Sequence, residues 1–186
     1  MENKRIRDFI EKNGWFESYE KSNELIKSTR LIEIMPDAVI DFFSYYAGLK
    51  TGTLKLDKIE DVVSEENINY YLNLIDKGID EIDKVLGDKN PQYYYSILLG
   101  VQIFSIGIFE RIDVVYMDKY YNFYIHTELN TFYWIGNSIE TAFCYIFWGE
   151  GAVLGLDEES LSWVQSKITP TNHIPPINKK LLENPW

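Results

Sequence analysis

The sequence predicts an α+β domain, an antiparallel β-meander sheet with helices packed on one face. Three observations carry this. Residues 100–136 hold four short runs dense in Ile, Val, Phe, Tyr and Trp, parted by turn-like breaks. That is strand composition, and strands with short links are antiparallel neighbours. Before them, apolar residues recur at helical spacing between capping and stop signals. After them, "WIGNSIETAFCYIFWG" passes from a strand through a cap into an apolar helix closed by glycine. Helices, then a meander, then a helix is an α+β order.

Taken in order, Ile6, Phe9 and Ile10 predict a short amphipathic helix ended by Asn13-Gly14. Leu25 and Ile26 anchor a second. Pro36 sits at a helix start with Asp37 in its first turn, Val39, Ile40, Phe43, Tyr46 and Ala47 follow at helical spacing, and Gly48 is the stop. "TGTLKLDK" reads as a weak strand. "INYYLNLI" reads as another, because Ile68, Tyr70, Leu72 and Leu74 alternate. Asp76 then caps a helix carrying Ile79, Ile82, Val85 and Leu86, ended by Gly87. Asn90 caps the next helix, with Pro91 at its first position.

"VQIFSIGIF", "IDVVYMD", "NFYIHT" and "TFYWIG" are the four strands. Asn137 or Ser138 caps the helix that runs to Trp148, and Asn137 with Glu140 makes an approximate capping box. Residues 1–186 are expected to form a single domain, with 151–186 as a C-terminal extension. That extension reads as a helix over "DEESLSWVQSKI", with Leu161, Val164 and Ile168 on one face, then a Pro-rich stretch extended along the surface.

The chain has 29 acidic and 18 basic residues, a formal net charge of −11. Nucleic acids and anionic membranes call for a positive surface, so neither is an expected direct partner. A basic protein is the natural complement; the plainer alternative is that acidity only confers solubility. Cys144 is the one cysteine, so no intrachain disulfide forms. The N-terminus is charged without an apolar signal core, and no run of 18 apolar residues exists. These features predict a soluble, cytoplasmic protein.

Little in the sequence points to catalysis. "IGNSIETAF" has one glycine and no lysine, so it is neither a dinucleotide loop nor a P-loop, but a strand, a capped turn and a helix. His126 and His173 stand alone, and one cysteine builds no zinc site. Cys144 falls near the apolar side of its helix and reads as a small hydrophobe. No cofactor or metal is expected, and the protein is read as a non-enzyme. A hydrolase using two carboxylates is a distant alternative, since nothing places two acids together. Acidic residues do crowd between Asp57 and Asp88, as plain solvated surface or as an electrostatic docking face.

The order of several local signatures resembles a known family. "NGW" at Asn13–Trp15 is followed by "PDAVIDFFSYYAGLK" at Pro36–Lys50 and "LLGVQIFSIG" at Leu98–Gly107. "VVYMDKYYNFYI" at Val114–Ile125 and "WIGNSIETAFCYIFWG" at Trp134–Gly149 complete it. This is similar to the SUKH superfamily, SUKH-3 type, over about residues 5–150. The family pattern is a Gly-Trp, a helix ending in Gly-Gly-Leu, an apolar strand ending in Pro-Ile-Gly, a hairpin bearing an Asp, and a strand-Gly-helix ending in Gly. Ala47 and Ser105 depart from that pattern, and Glu17, Ser18 and Tyr19 stand where an arginine is usual.

The resemblance implies an α+β fold and an immunity protein that binds and neutralises a cognate bacterial toxin domain, often a nuclease. The contact is expected at Glu65, Glu66, Asp76, Asp80 and Asp83, with Tyr120 and Tyr121 as aromatic anchors in a hairpin turn. Tyr70 belongs to the alternating apolar set and is expected in the core. The alternative from another class is a regulatory or scaffold module of the same superfamily that binds an endogenous protein or peptide.

Overall fold

The β-rich stretch forms the middle of a seven-stranded antiparallel sheet. Its strands are β1 (Leu54–Leu56), β2 (Ile103–Phe109), β3 (Asp113–Asp118), β4 (Phe123–His126), β5 (Phe132–Gly136), β6 (Leu154–Asp157) and β7 (Ser162–Gln165). They follow one another across the sheet in chain order. The computed structural model describes residues 3–15, 24–26, 28–77, 90–165 and 169–183. Among these are helices α1 (Lys4–Lys12), α2 (Leu31–Ile34), α3 (Asp37–Tyr46), α4 (Ile59–Val62), α5 (Glu65–Lys77), α6 (Pro91–Leu99), α7 (Ile139–Trp148) and α8 (Lys179–Glu183).

Register separates the two faces of the sheet. Met117 opposes Phe123, while Tyr116 opposes Tyr124 and Tyr124 opposes Trp134. Opposed residues share a face and successive residues alternate. On the Phe123 face lie α3 and α7, where the Phe42 ring is 5.7 Å from Phe123 and 6.3 Å from Phe143. Helix α1 packs on α7 through Phe9 and Phe147, 4.6 Å apart. Arg5 secures that contact by forking onto Glu150 and lying over the Trp148 ring.

On the opposite face Tyr95 of α6 stacks on Phe132 at 3.9 Å, and Phe132 lies against Tyr124. The α+β meander is as the sequence predicts, and its packing goes further than one face. Val115, Met117, Phe123 and Ile125 are buried on one side, Tyr116 and Tyr124 on the other. Apolar residues on both sides of a strand need cover on both sides.

The C-terminal stretch supplies part of that second cover. His173 stacks on Trp134 at 5.1 Å, the Trp163 indole N–H donates to the Pro175 carbonyl, and the Asn178 amide donates to the Leu98 carbonyl. Glu158 accepts from both the Tyr94 and Tyr95 hydroxyls, at 2.7 and 2.8 Å.

Two elements and one helix cap differ from the sequence reading. "INYYLNLI" is helix, within α5, and not a strand. Ser64 starts it by accepting from the Asn67 amide, and Glu65 and Glu66 occupy its first turn. Its buried residues, Tyr71 and Leu74, lie three apart, which is a helical spacing. Of the helix expected over "DEESLSWVQSKI", residues 157–165 belong instead to the β6–β7 hairpin, and 166–168 lie outside the described residues. Asp157 Oδ1 accepts from the Glu159 and Ser160 amides, which turns the chain, and Leu156 then opposes Trp163. Val164, expected on a buried face, is 56 % exposed. The capping box of α7 is Ser138 with Thr141, not Asn137 with Glu140. The helix expected over Ile79–Leu86 lies outside the described residues.

Candidate functional site

The β3–β4 turn is built around one buried carboxylate. Asp118 ends β3 with no exposed surface. Its Oδ1 accepts from the Tyr120 and Asn122 amides at 2.8 and 3.0 Å. Its Oδ2 accepts from Asn122 Nδ2 and the Tyr124 hydroxyl, both at 2.9 Å. Four donors thus satisfy a charge that burial alone would make costly. Asn122 Oδ1 accepts in turn from Trp134 Nε1 and lies 2.8 Å from His173 Nε2. Burial and Asp118 together hold the Tyr124 phenol far above the usual tyrosine range, so it stays a donor.

This frame presents two tyrosines differently. Tyr121 takes the left-handed backbone at φ 62, a conformation that side chains adopt only under constraint. Burial first, then Asp41 of α3, raises the pKa of its hydroxyl. Tyr120 points outward and is 59 % exposed. Both line a cleft of about 560 Å³, together with Tyr45, Tyr46 and the start of α7.

That start of α7 is the stretch with the look of a phosphate turn. Gly136 brings β5 so close that a Cβ there would lie 2.7 Å from the Ala142 nitrogen. Ser138 Oγ accepts from the Thr141 amide at 3.2 Å, and Thr141 Oγ1 accepts from the Ser138 amide at 3.1 Å. The first-turn amides therefore serve a reciprocal cap.

A second cleft, of about 370 Å³, opens on the Tyr116 face between α5, α6 and the sheet. Tyr70 and Tyr71 of α5, Tyr116 of β3 and Ser105 of β2 form its walls, and Asp57 its acidic point. Burial raises the Asp57 carboxyl above the ordinary aspartate range, Asp61 adds to this, and Lys55 opposes it. Tyr70 is half-buried and accepts from Asn90 Nδ2 at 2.8 Å, so it is a cleft residue and not core.

The expected contact residues separate. Glu65, Glu66 and Asp76 are exposed on α5. Glu65 and Asp76 stand eleven positions apart, about three turns, and share one side of the helix. Asp80 and Asp83 lie outside the described residues. Tyr120 and Tyr121 line the first cleft, whereas α5 lines the second, and the two clefts share no lining residue. The sequence marks Asp118 only as the hairpin Asp of the family-like pattern and Ser105 only as a departure from it, it does not single out Tyr45 or Tyr116, and it shows Asp57 only as one acid in an acidic run. No local pattern gives any of them its place in a cleft, because tertiary packing is what assembles each cleft.

Cys144 is half-buried on α7, and burial, then Glu140 and Glu150, push its thiol up, with Arg5 opposing. A thiol held protonated is a poor nucleophile. Among the described residues, Glu140 is the carboxylate lining the first cleft and Asp57 the one lining the second. Among the described residues no three His, Cys, Asp or Glu side chains converge as for a metal, and no helix is long and apolar enough to cross a membrane. Comparison with protein-family models, curated proteins and solved structures finds no match to this chain.

Proposed function

We propose that this protein is a non-enzymatic inhibitor, an immunity protein of the SUKH-3 type that binds and neutralises a basic toxin domain in the cytoplasm. A nuclease is the toxin class that suits it best, because enzymes that grip phosphates carry positive surface. The observation that carries the reading is Tyr120, an exposed aromatic on a turn locked by Asp118, beside a tyrosine-walled cleft. A rigid aromatic anchor costs little entropy on binding. The net charge of −11 supplies the long-range attraction. The family-like signatures support the same reading. Gly14-Trp15 follows α1, Ile106-Gly107 lies in β2, Asp118 ends the first strand of a hairpin, and Gly136 joins a strand to a glycine-closed helix.

The deciding experiment is co-expression rescue. A toxin domain encoded beside this gene is induced in a bacterial host with and without this protein, and the pair is tested for a complex. Rescue with a one-to-one complex is the expected result. No rescue and no complex with any neighbouring candidate would overturn inhibition and favour the regulatory module.

A further inference from the structure

The second cleft has a chemical bias that its composition does not announce. Asp57 is held at the backbone from both sides: its amide donates to the Ile106 carbonyl and its carbonyl accepts from the Gly48 amide. Its backbone therefore has a defined place beside the cleft. Among the described residues no donor hydrogen-bonds its carboxylate and no cation pairs with it. A half-buried carboxylate without a hydrogen-bond donor is costly; Asp61 makes it more so, and Lys55 offsets only part of this.

The amides around it show what is missing. Each of them commits one side-chain N–H within the protein. Asn67 Nδ2 donates to the Asp61 carbonyl, Asn90 Nδ2 to the Tyr70 hydroxyl, and Gln92 Nε2 to the Ile103 carbonyl. Among the described residues the Asp57 carboxylate and the Asn67 side-chain oxygen have no donor. The cleft thus sets two open acceptors, one of them a carboxylate, among tyrosine rings, with the Ser105, Tyr71 and Tyr116 hydroxyls able to donate or accept. A guanidinium is the complement: it carries five donors, no acceptor, and a flat face that lies on tyrosine rings.

We propose that the Asp57 cleft receives an arginine side chain of the protein partner. This rests on the reading of the molecule as a binder of a basic protein, and it adds a specific socket on the face opposite the one that α3 and α7 cover. Glu65 and Glu66 stand on the same helix as the socket wall, so the exposed acids would draw the arginine in and Asp57 would hold it. A guanidinium seated there would make charge-assisted hydrogen bonds shielded from water, the kind that contributes most per contact.

The test needs no toxin. The full-length protein, labelled for NMR, is titrated with N-acetyl-arginine amide, with the neutral isostere N-acetyl-citrulline amide, and with N-acetyl-lysine amide. Saturable shifts of Asp57, Ser105 and Tyr116 are expected with arginine, with citrulline about tenfold weaker or more. Asp57→Asn, which keeps shape and removes charge, should bring arginine down to the citrulline level. Equal binding of arginine and citrulline, or no saturable shift at these residues, overturns the proposal. Equal binding of lysine overturns the guanidinium assignment. In a toxin complex, Asp57→Asn should speed dissociation. If the complex forms and that variant dissociates like the wild type, the socket falls and inhibition stands. If no toxin is bound yet arginine fills the cleft, the socket stands and inhibition falls.

Discussion

Asp118 and Asp57 are two carboxylates with opposite fates. Asp118 is fully buried yet meets four donors, so it organises the turn that carries Tyr120. Asp118→Ala leaves those donors without an acceptor. A loss of at least about 3 kcal/mol is expected, since each stranded buried donor costs about 1–3 kcal/mol. A urea titration reads this as a lower midpoint at unchanged slope, and a loss below about 1 kcal/mol would refute the organising role. Asp57 is the converse, a carboxylate that folding disfavours in its ionised form. Its folded pKa lies above the unfolded one, through burial first and Asp61 second, with Lys55 opposing. Its contribution to stability is thus most favourable below the ordinary aspartate range and is lost as pH rises through the raised value. Asp57→Asn should therefore raise the melting temperature at pH 7 and leave it unchanged in acid below that range. An equal gain at both pH values would show that charge is not the cause. Destabilising charge retained in a cleft is a common mark of a binding group.

Elements obey their local signals where nothing competes. Asn90-Pro91 starts α6 and Gly100 ends it in the left-handed region, as the residue types demand. The β1–β2 contact depends on Gly107 in a different way. Its φ is +156°, and a Cβ there would meet the Lys55 carbonyl oxygen and lie 2.7 Å from Leu56 Cα. Gly107→Ala should cost about 1–3 kcal/mol, the range for overpacking. Hydrogen exchange should show protection lost at Leu54–Leu56 while β3–β5 keep theirs; uniform protection across the sheet would contradict the close approach. The two elements that depart from their sequence signals do so for identifiable reasons. In "INYYLNLI" apolar residues satisfy a two-residue and a helical period together, and Ser64 with two following acids decides for helix. In "DEESLSWVQSKI" Leu161 and Val164 lie at helical spacing, but the Asp157 side chain closes a turn between strands.

At the scale of the whole molecule, the proposed function divides the work of recognition between charge and clefts. A protein of net charge −11 accelerates encounter with a basic partner, and the effect weakens with salt. Reversing Glu65, Glu66 and Asp76 to lysine should slow association with the proposed toxin partner about tenfold at low ionic strength and flatten its salt dependence. An unchanged on-rate would remove electrostatics from the mechanism. Tyr120→Ala acts on the other rate. It should speed dissociation, with a loss of about 2 kcal/mol or more if the ring is a buried anchor. It should leave the melting temperature alone, because that ring is 59 % exposed. Stopped-flow association and dissociation traces separate the two effects.

What the chain determines by itself is local. Strand composition, caps, prolines and stop glycines are read over a few residues, so the meander, α3, α6 and α7 are legible in the sequence alone. The acidity that argues for a basic partner is legible too, being a sum over residues. Tertiary structure alone decides that both faces of the sheet are covered, since that depends on which side each apolar residue turns. It alone brings Asp57, Tyr70, Gln92, Ser105 and Tyr116 around one cleft and parts the α5 acids from Tyr120. Residues so far apart in sequence meet only when hairpin register and helix packing set their distance, and no period or motif encodes that meeting.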